Sequence, residues 1–293
     1  MKFSRTLTGI LPLVVLTLIS CARTKFNGES ENPPQCVEEA KDALGAHIAF
    51  VIDNSGSNGS DAETDCPGMQ RANGYYYCSQ PTMREISVLE SVEFLDAMTK
   101  AEPTNAQAES ILTLISYNDT RANTHLSNVS TRNGALAPFT NAVQFARRPY
   151  GDTPLLRGLQ NGYQALQNSL STNDPRAKVM IIVSDGYNTD RQLNPIYSIS
   201  QQFRAAGGKI FAITNTDGKN KAERDQYFHN YMKQRPNWSS EYTNQEYVAR
   251  VVGENGHQPI LKEISDAYFE VDNANDIPKV MKKIVVEGAV SCK

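Results

Sequence analysis

Short runs of apolar residues recur along the chain, each of about four to seven positions with little polar interruption. Runs of this kind are typical of strands that are buried on both faces of a parallel sheet. The five predicted strands are Ala46–Ile52, Ile111–Ser116, Val179–Val183, Ile210–Thr214 and Tyr268–Val271.

The segments between these strands show helical spacing instead, with apolar residues three or four positions apart. The spacing is carried by Val88, Val92, Leu95 and Met98 after Arg84, by Leu155, Leu159, Tyr163, Leu166 and Leu170, and by the segments Gln258–Asp266 and Asp276–Val285. Alternating strands and helices predict an α/β fold: a doubly wound, mostly parallel sheet with helices on both faces.

Carboxyl and hydroxyl side chains follow two of the strands and precede one of the helices. Asp53, Ser55 and Ser57 come directly after the first strand, Asp185 follows the third, and Thr153 stands before the second helix. Ligands of an open parallel sheet collect at the carboxyl ends of its strands, so we expect these side chains to converge. Their oxygen atoms favour Mg²⁺ or Mn²⁺ over zinc or copper.

Simpler interpretations exist for each of these segments taken alone. An Asp followed by Ser is typical of an Asx-turn, which needs no metal. Thr153 is a suitable helix N-cap with Pro154 as the first helical residue. This second interpretation is compatible with metal binding.

Taken together, the three segments resemble the von Willebrand factor A family. Its metal-ion-dependent adhesion site has the pattern Asp-x-Ser-x-Ser, then a Thr before a helix, then an Asp after a later strand. Asp53, Ser55, Ser57, Thr153 and Asp185 occupy these positions, and the resemblance extends from Cys36 to the end of the chain.

The resemblance implies how the site would work. Ser55 and Ser57 would contact the ion directly, Thr153 would switch between direct and water-mediated contact, and Asp53 and Asp185 would act partly through water. An acidic side chain of a partner protein would complete the coordination. The resemblance also implies one short antiparallel edge strand, which we expect between Thr124 and Phe139.

The first 21 residues have the features of an export signal. Lys2 and Arg5 precede an apolar stretch that is too short to span a bilayer. Leu18-Ile19-Ser20-Cys21 looks like a bacterial lipobox, although an ordinary secretory signal is the alternative. We therefore expect a signal peptide over 1–20, a lipidated Cys21 with a flexible tether over 21–35, and one domain over 36–293. By analogy with Gram-negative sorting, Ala22 favours the outer membrane.

The cysteine count bears on disulfide bonds, and the net charge bears on the class of partner. Besides Cys21 there are four cysteines, an even number that indicates disulfides in an exported protein. Three pairings are possible. We favour Cys36–Cys292, because chain termini lie close together in such domains and several family members join them, which leaves Cys66–Cys78. The formal charge of −3 and the lack of a basic run argue against a nucleic-acid partner.

Two segments are longer than ordinary connections, namely 58–82 and 217–256. Both begin at carboxyl ends of strands, so we expect both insertions beside the metal. Their many aromatic residues either pack against each other or form a rim that selects a ligand. Tyr76 and Trp238 are our candidates for ligand contacts.

The sequence therefore favours a surface or periplasmic lipoprotein that binds a protein ligand through a divalent cation. A scaffold or assembly subunit of an envelope complex is the alternative. An enzyme is the least supported class, because no nucleophile or general base is placed near the site and the four histidines are scattered.

Overall fold

A central sheet of six strands organises the computed structural model, which describes residues 43–56, 58, 66–72, 75–118, 121–186, 188, 190, 193–216, 223, 226 and 259–292. The strands are β1 (Ala43–Leu44), β2 (Ala46–Asp53), β3 (Met69–Ala72), β4 (Tyr75–Cys78), β5 (Ile111–Asn118), β6 (Arg121–Ser130), β7 (Ala177–Ser184), β8 (Gly208–Asn215), β9 (Ala267–Val271) and β10 (Ser291–Cys292). The helices are α1 (Met83–Ala101), α2 (Leu136–Ala142), α3 (Leu155–Leu170), α4 (Asn194–Ala205), α5 (Pro259–Ile264) and α6 (Ile277–Lys283).

The strand order in the large sheet is β6-β5-β2-β7-β8-β9. All neighbouring pairs are parallel except β5 and β6. The chain moves from β2 outward to β5 and later returns to the other side of β2 with β7. This reversal is the topological switch point of a doubly wound sheet, and it confirms the predicted fold class.

The antiparallel edge strand differs from its prediction. β6 is 10 residues long and begins at Arg121, so it is neither short nor confined to the segment after Thr124. Its side chains are exposed or half-buried throughout, so it lacks the apolar run that marks a buried strand. The rest of the predicted segment forms a 3₁₀ turn, Thr131–Asn133, and the helix α2.

Alternate residues of β2 face two separate layers of the core. Ile48, Phe50 and Ile52 pack on the side of α1 and α6, whereas Ala49 and Val51 pack on the side of α3. A strand covered on both faces can be apolar at every position, and this explains the uninterrupted apolar run in the sequence.

Helix α3 lies close to the sheet because two of its residues are glycines. A Cβ atom on Gly158 would lie 2.7 Å from Cδ1 of Tyr117, and one on Gly162 would lie 2.7 Å from Cε of Met180. The missing side chains let the helix backbone approach β5 and β7. The amino end of α3 is thereby held at the carboxyl edge of the sheet.

The two ends of the described domain meet in a small second sheet. β1 pairs antiparallel with β10, with Ala43 opposite Cys292. Cys36 and the whole amino-terminal segment, including Cys21, lie outside the described residues, so the Cys36–Cys292 bond stays a prediction. Within the part of the chain that the structure describes, no helix is long and apolar enough to cross a membrane.

The first insertion contains a hairpin of β3 and β4. A disulfide joins Cys66 to Cys78, as the sequence predicted. Trp238 lies outside the described residues, as does most of the second insertion, of which the structure describes only residues 223 and 226.

Candidate functional site

The carboxyl ends of β2 and β7 meet at the switch point of the sheet. Asp53 is the last residue of β2 and Asp185 directly follows β7. Both are buried. The hydroxyl of Ser184 donates a 2.7 Å hydrogen bond to Oδ2 of Asp53 and so links the two strands across the switch point.

The loop after β2 is folded around the Asp53 carboxylate. The amide of Ser55 donates to Oδ1 of Asp53 at 2.9 Å, which is the Asx-turn of the simpler interpretation. The Ser55 hydroxyl is buried and accepts a 3.1 Å hydrogen bond from Nδ2 of Asn58. The turn thus shapes the loop that carries the candidate ligands, and Ser57 lies outside the described residues.

Two main-chain hydrogen bonds place the Thr153 segment beside this loop. The amide of Gly56 donates to the carbonyl of Gly151 at 2.9 Å, and the amide of Tyr150 donates to the carbonyl of Asn54 at 3.0 Å. Thr153 is buried next to this contact. The structure therefore brings the segments that carry Asp53, Ser55, Thr153 and Asp185 to one edge of the sheet.

The start of α3 differs from its prediction. The helix begins at Leu155, and Pro154 occupies the cap position with ψ at 83°, outside the helical region. Thr153 is therefore not the N-cap. Asp190 from the loop after β7 accepts a 2.7 Å hydrogen bond from the amide of Leu156 and satisfies the helix end instead.

Arg84 is a site residue that sequence reasoning missed. It is buried at the start of α1, and its guanidinium donates to the main-chain carbonyls of Asp53 and Ala146. The only sequence signal was a charged residue in the first turn of a helix whose following turns are apolar. Its neighbour Glu85 is also buried and holds Arg147 in a two-pronged ion pair at 2.7 and 2.5 Å.

Burial dominates the electrostatics of the site. Desolvation raises the pKa of Asp53, while hydrogen bonds from Ser184 and Ser55 and the charge of Arg84 act in the opposite direction. Desolvation also raises the pKa of Tyr117, and the nearby charge of Asp53 adds to this rise. A bound cation would oppose the rise in the pKa of Asp53, because it would favour the ionised carboxylate.

The chemistry of the donor set fits a hard divalent cation. The buried candidate donors are carboxylate and hydroxyl oxygens, and the described residues include no group of three His, Cys, Asp or Glu side chains that could hold a metal alone. Oδ1 of Asn54 is buried without a hydrogen-bond partner among the described residues. A site of this composition suits Mg²⁺ or Mn²⁺ rather than a metal that requires several imidazole or thiolate ligands.

Each of the two described histidines lies within hydrogen-bond distance of a side chain that is not a candidate metal ligand. Nε2 of His47 lies 3.0 Å from Oδ2 of Asp174, and Nε2 of His125 lies 2.7 Å from Oγ of Ser116. Burial lowers the pKa of both imidazoles.

Comparisons by sequence give no relatives: no family model and no curated protein matches the chain. Comparison of structures finds proximal thread matrix protein 1 from the mussel byssus, at 17% identity over 86% of this chain and 49% of that protein, with a TM-score of 0.49. The pilus adhesin SpaC from Lactobacillus rhamnosus GG is 12% identical over 84% of this chain and 31% of that one, with a TM-score of 0.48. Manganese-loaded TRAP protein from Plasmodium vivax is 12% identical over 85% of this chain and 80% of that one, with a TM-score of 0.46.

The chain thus spans about half of the mussel protein and less than a third of the adhesin. These similarities are low. The fold is therefore assigned from the strand order of the chain itself.

Proposed function

We propose that this protein is a von Willebrand factor A-type binding protein that captures a protein ligand through a divalent cation. One observation supports the proposal: Asp53, Ser55, Thr153 and Asp185 are all buried, and they belong to strand ends and loops that meet at the switch point of a doubly wound sheet. Among the described residues no general base or nucleophile is placed with them, so we infer binding rather than catalysis.

The residues that would hold Mg²⁺ or Mn²⁺ are Asp53, Ser55, Ser57, Thr153 and Asp185. With only two carboxylates in this set, a bound ion would keep enough positive charge to accept an acidic side chain from a partner protein.

The surrounding residues keep these ligands in place. Ser184 and the Ser55 amide fix both oxygens of the Asp53 carboxylate, and Arg84 fixes the main chain at the same residue. A site that is already ordered loses little conformational entropy on binding. Because desolvation raises the pKa of Asp53, metal binding should weaken as the pH falls and the carboxylate becomes protonated.

Metal binding is tested by calorimetric titration of the protein with MnCl₂ and with MgCl₂. We expect Asp53→Asn and Asp185→Asn to abolish the binding heat. The matched control is Asp96→Asn: Asp96 is also buried and also hydrogen-bonded, but to the amides of Ala135 and Leu136. That variant should bind metal like the wild type. If Asp53→Asn and Asp185→Asn also bind metal like the wild type, the assignment is wrong.

We also propose that lipid on Cys21 attaches the protein to the cell envelope, with the outer membrane of a Gram-negative bacterium as the expected location. The lipobox-like sequence ahead of Cys21 supports this. Cys21→Ser should move the protein from the detergent phase to the aqueous phase in detergent partitioning. A variant that still partitions with detergent would indicate another means of attachment.

A further inference from the structure

Large apolar side chains are prominently exposed at three places in the described part of the chain: Met69, Tyr77 and Tyr150 are 38%, 40% and 37% exposed. Two of these, Tyr77 and Tyr150, lie beside the candidate metal site. Aromatic side chains in such positions contribute large contact areas at a small entropy cost, so they need an explanation.

Tyr150 is fixed to the loop that follows β2. Its amide donates to the carbonyl of Asn54, and Nδ2 of Asn54 donates to the carbonyl of Arg148 at 3.2 Å. Between the two anchored residues Pro149 is buried, while the side chains of Arg148 and Tyr150 are exposed. This segment therefore presents a cation and an aromatic ring beside Asn54, the residue that follows Asp53.

Tyr77 approaches the same place from the β3–β4 hairpin. Its ring centroid lies 5.6 Å from Cζ of Arg148, within the range of a cation–π interaction. In the hairpin register Tyr77 stands opposite Gln70, whereas Met69 stands opposite the buried Cys78. Because neighbouring residues of a strand point to opposite faces, Tyr77 and Met69 lie on different faces of the hairpin.

Arg148 also differs from the arginine that precedes it. Arg147 is held by the buried Glu85, so its charge is used within the fold. Arg148 forms no ion pair with any of the described residues, and its guanidinium lies over an aromatic ring at the surface. A planar guanidinium in this setting is suited to bind a carboxylate through two parallel hydrogen bonds.

We propose that Tyr77, Arg148 and Tyr150 form a second subsite, which binds an acidic side chain together with a neighbouring aromatic or aliphatic side chain of the protein ligand. The inference rests on the proposed function, in which a first acidic side chain of the same ligand completes the cation site. Many proteins offer a single exposed carboxylate, so discrimination between them has to come from contacts around the ion. The buried acids Asp53 and Asp185 lie close to this subsite, and their negative charge does not suit a polyanion such as nucleic acid.

The test uses phage that display random 12-residue peptides, captured on the full-length protein in detergent with MnCl₂ and eluted with EDTA. We expect the eluted peptides to share two acidic residues, one of them next to an aromatic or aliphatic residue. Arg148→Ala should weaken the best such peptide by about tenfold and remove the preference for the second acid. Tyr77→Ala and Tyr150→Ala should remove the preference for the apolar neighbour.

Two variants serve as matched controls. Met69→Ala removes the exposed apolar side chain on the other face of the hairpin, and Lys209→Ala removes an exposed positive charge at the start of β8, at the opposite end of the sheet. Neither should change the selected peptides. Arg148→Lys keeps the charge but loses the planar fork, so it should retain only part of the affinity and also covers the case in which Arg148→Ala fails to fold.

The possible outcomes distinguish failure of the second subsite from failure of cation-dependent binding. If EDTA elutes peptides from the wild type but the three subsite variants bind them with unchanged affinity, the subsite is wrong and the cation-dependent function stands. If EDTA elutes no enriched peptides from folded wild type, both proposals are wrong. Selection of peptides with only one acidic residue would likewise overturn the second subsite.

Discussion

Asp190 shows how one side chain connects two parts of the site. It comes from the loop after β7 and accepts a hydrogen bond from Leu156 at the start of α3. Its own amide donates to Oδ1 of Asn188 at 3.1 Å, which fixes the loop in a turn. Burial nevertheless raises the pKa of Asp190 from 3.8 to about 6, against the opposing effects of the Leu156 amide and Arg157.

Asp190→Asn should therefore alter the pH dependence of stability. In the unfolded chain the carboxyl group ionises near pH 3.8, and in the folded protein only near pH 6. Between these two pH values the carboxyl group is protonated in the folded protein but ionised in the unfolded chain. The free energy of unfolding therefore falls as the pH rises through this range. Above pH 6 the total loss is about 3 kcal/mol. The Asn variant keeps an oxygen for Leu156 but cannot ionise.

Urea unfolding in EDTA between pH 4 and pH 7 measures this effect. Asp190→Asn should gain stability relative to the wild type as the pH rises, whereas the exposed Asp276→Asn should follow the wild type. Parallel curves for the wild type and Asp190→Asn would contradict the prediction.

Side chains at strand ends could be predicted from the sequence, whereas those that depend on distant partners could not. Asp53, Ser55 and Asp185 directly follow apolar runs, so local pattern and sheet topology together locate them. Arg84, Arg148 and Asp190 act through contacts with residues that are far away in the sequence. No local pattern marks such residues, and only the packing of α1, α3 and the hairpin brings them to the site.

Helix α3 depends on close contact with the sheet at Gly158. An added Cβ would meet both Cδ1 of Tyr117 at 2.7 Å and Cγ1 of Val51 at 3.0 Å. Gly158→Ala should therefore lower the free energy of unfolding by about 1–3 kcal/mol, despite the better helix propensity of Ala. It should also weaken metal binding, because the displaced helix carries the Thr153 segment with it.

Chemical denaturation and the MnCl₂ titration together check this prediction. Gln164→Ala, on the exposed side of the same helix, should change stability by no more than about 0.5 kcal/mol. A Gly158→Ala variant as stable as the wild type would show that the helix can move away from the sheet without cost.

The elements that were predicted well are those buried on two sides. The central strands β2 and β7 are covered by helices on both faces, so their apolar runs mark them in the sequence. The edge strand β6 is held by one neighbour and is largely polar, and α2 has only seven residues and contains a proline. Such elements are stabilised by their place in the fold rather than by a pattern of their own.

Across the whole molecule, the pairing of β1 with β10 bears on the predicted disulfide. Cys292 lies opposite Ala43, and the seven residues from Cys36 to Ala43 can span about 23–25 Å when extended. Peptide mapping without reduction should find Cys36 joined to Cys292. Replacing both cysteines with serine should lower the free energy of unfolding by about 2–5 kcal/mol, because the bond closes nearly the full length of the domain.

The Cys66–Cys78 pair provides the comparison for that experiment. It closes a hairpin with a sequence separation of only 12, so its loss should cost less than the loss of the terminal bond. Crossed pairs or free thiols in the purified, oxidised protein would contradict the assignment of the terminal bond.

The position of β2 has a mechanical consequence. β2 begins two residues after β1 and ends at Asp53, so the proposed tether and the proposed ligand would pull on opposite ends of a single strand. His47–Asp53 pair with β5 and Ala46–Ile52 pair with β7. The tension would therefore act along the strand and load the hydrogen bonds on both sides of β2 in shear. In this geometry the bonds have to break together, whereas in peeling they would break one after another. Tension between the proposed tether and the proposed ligand would therefore load the sheet in its strongest direction.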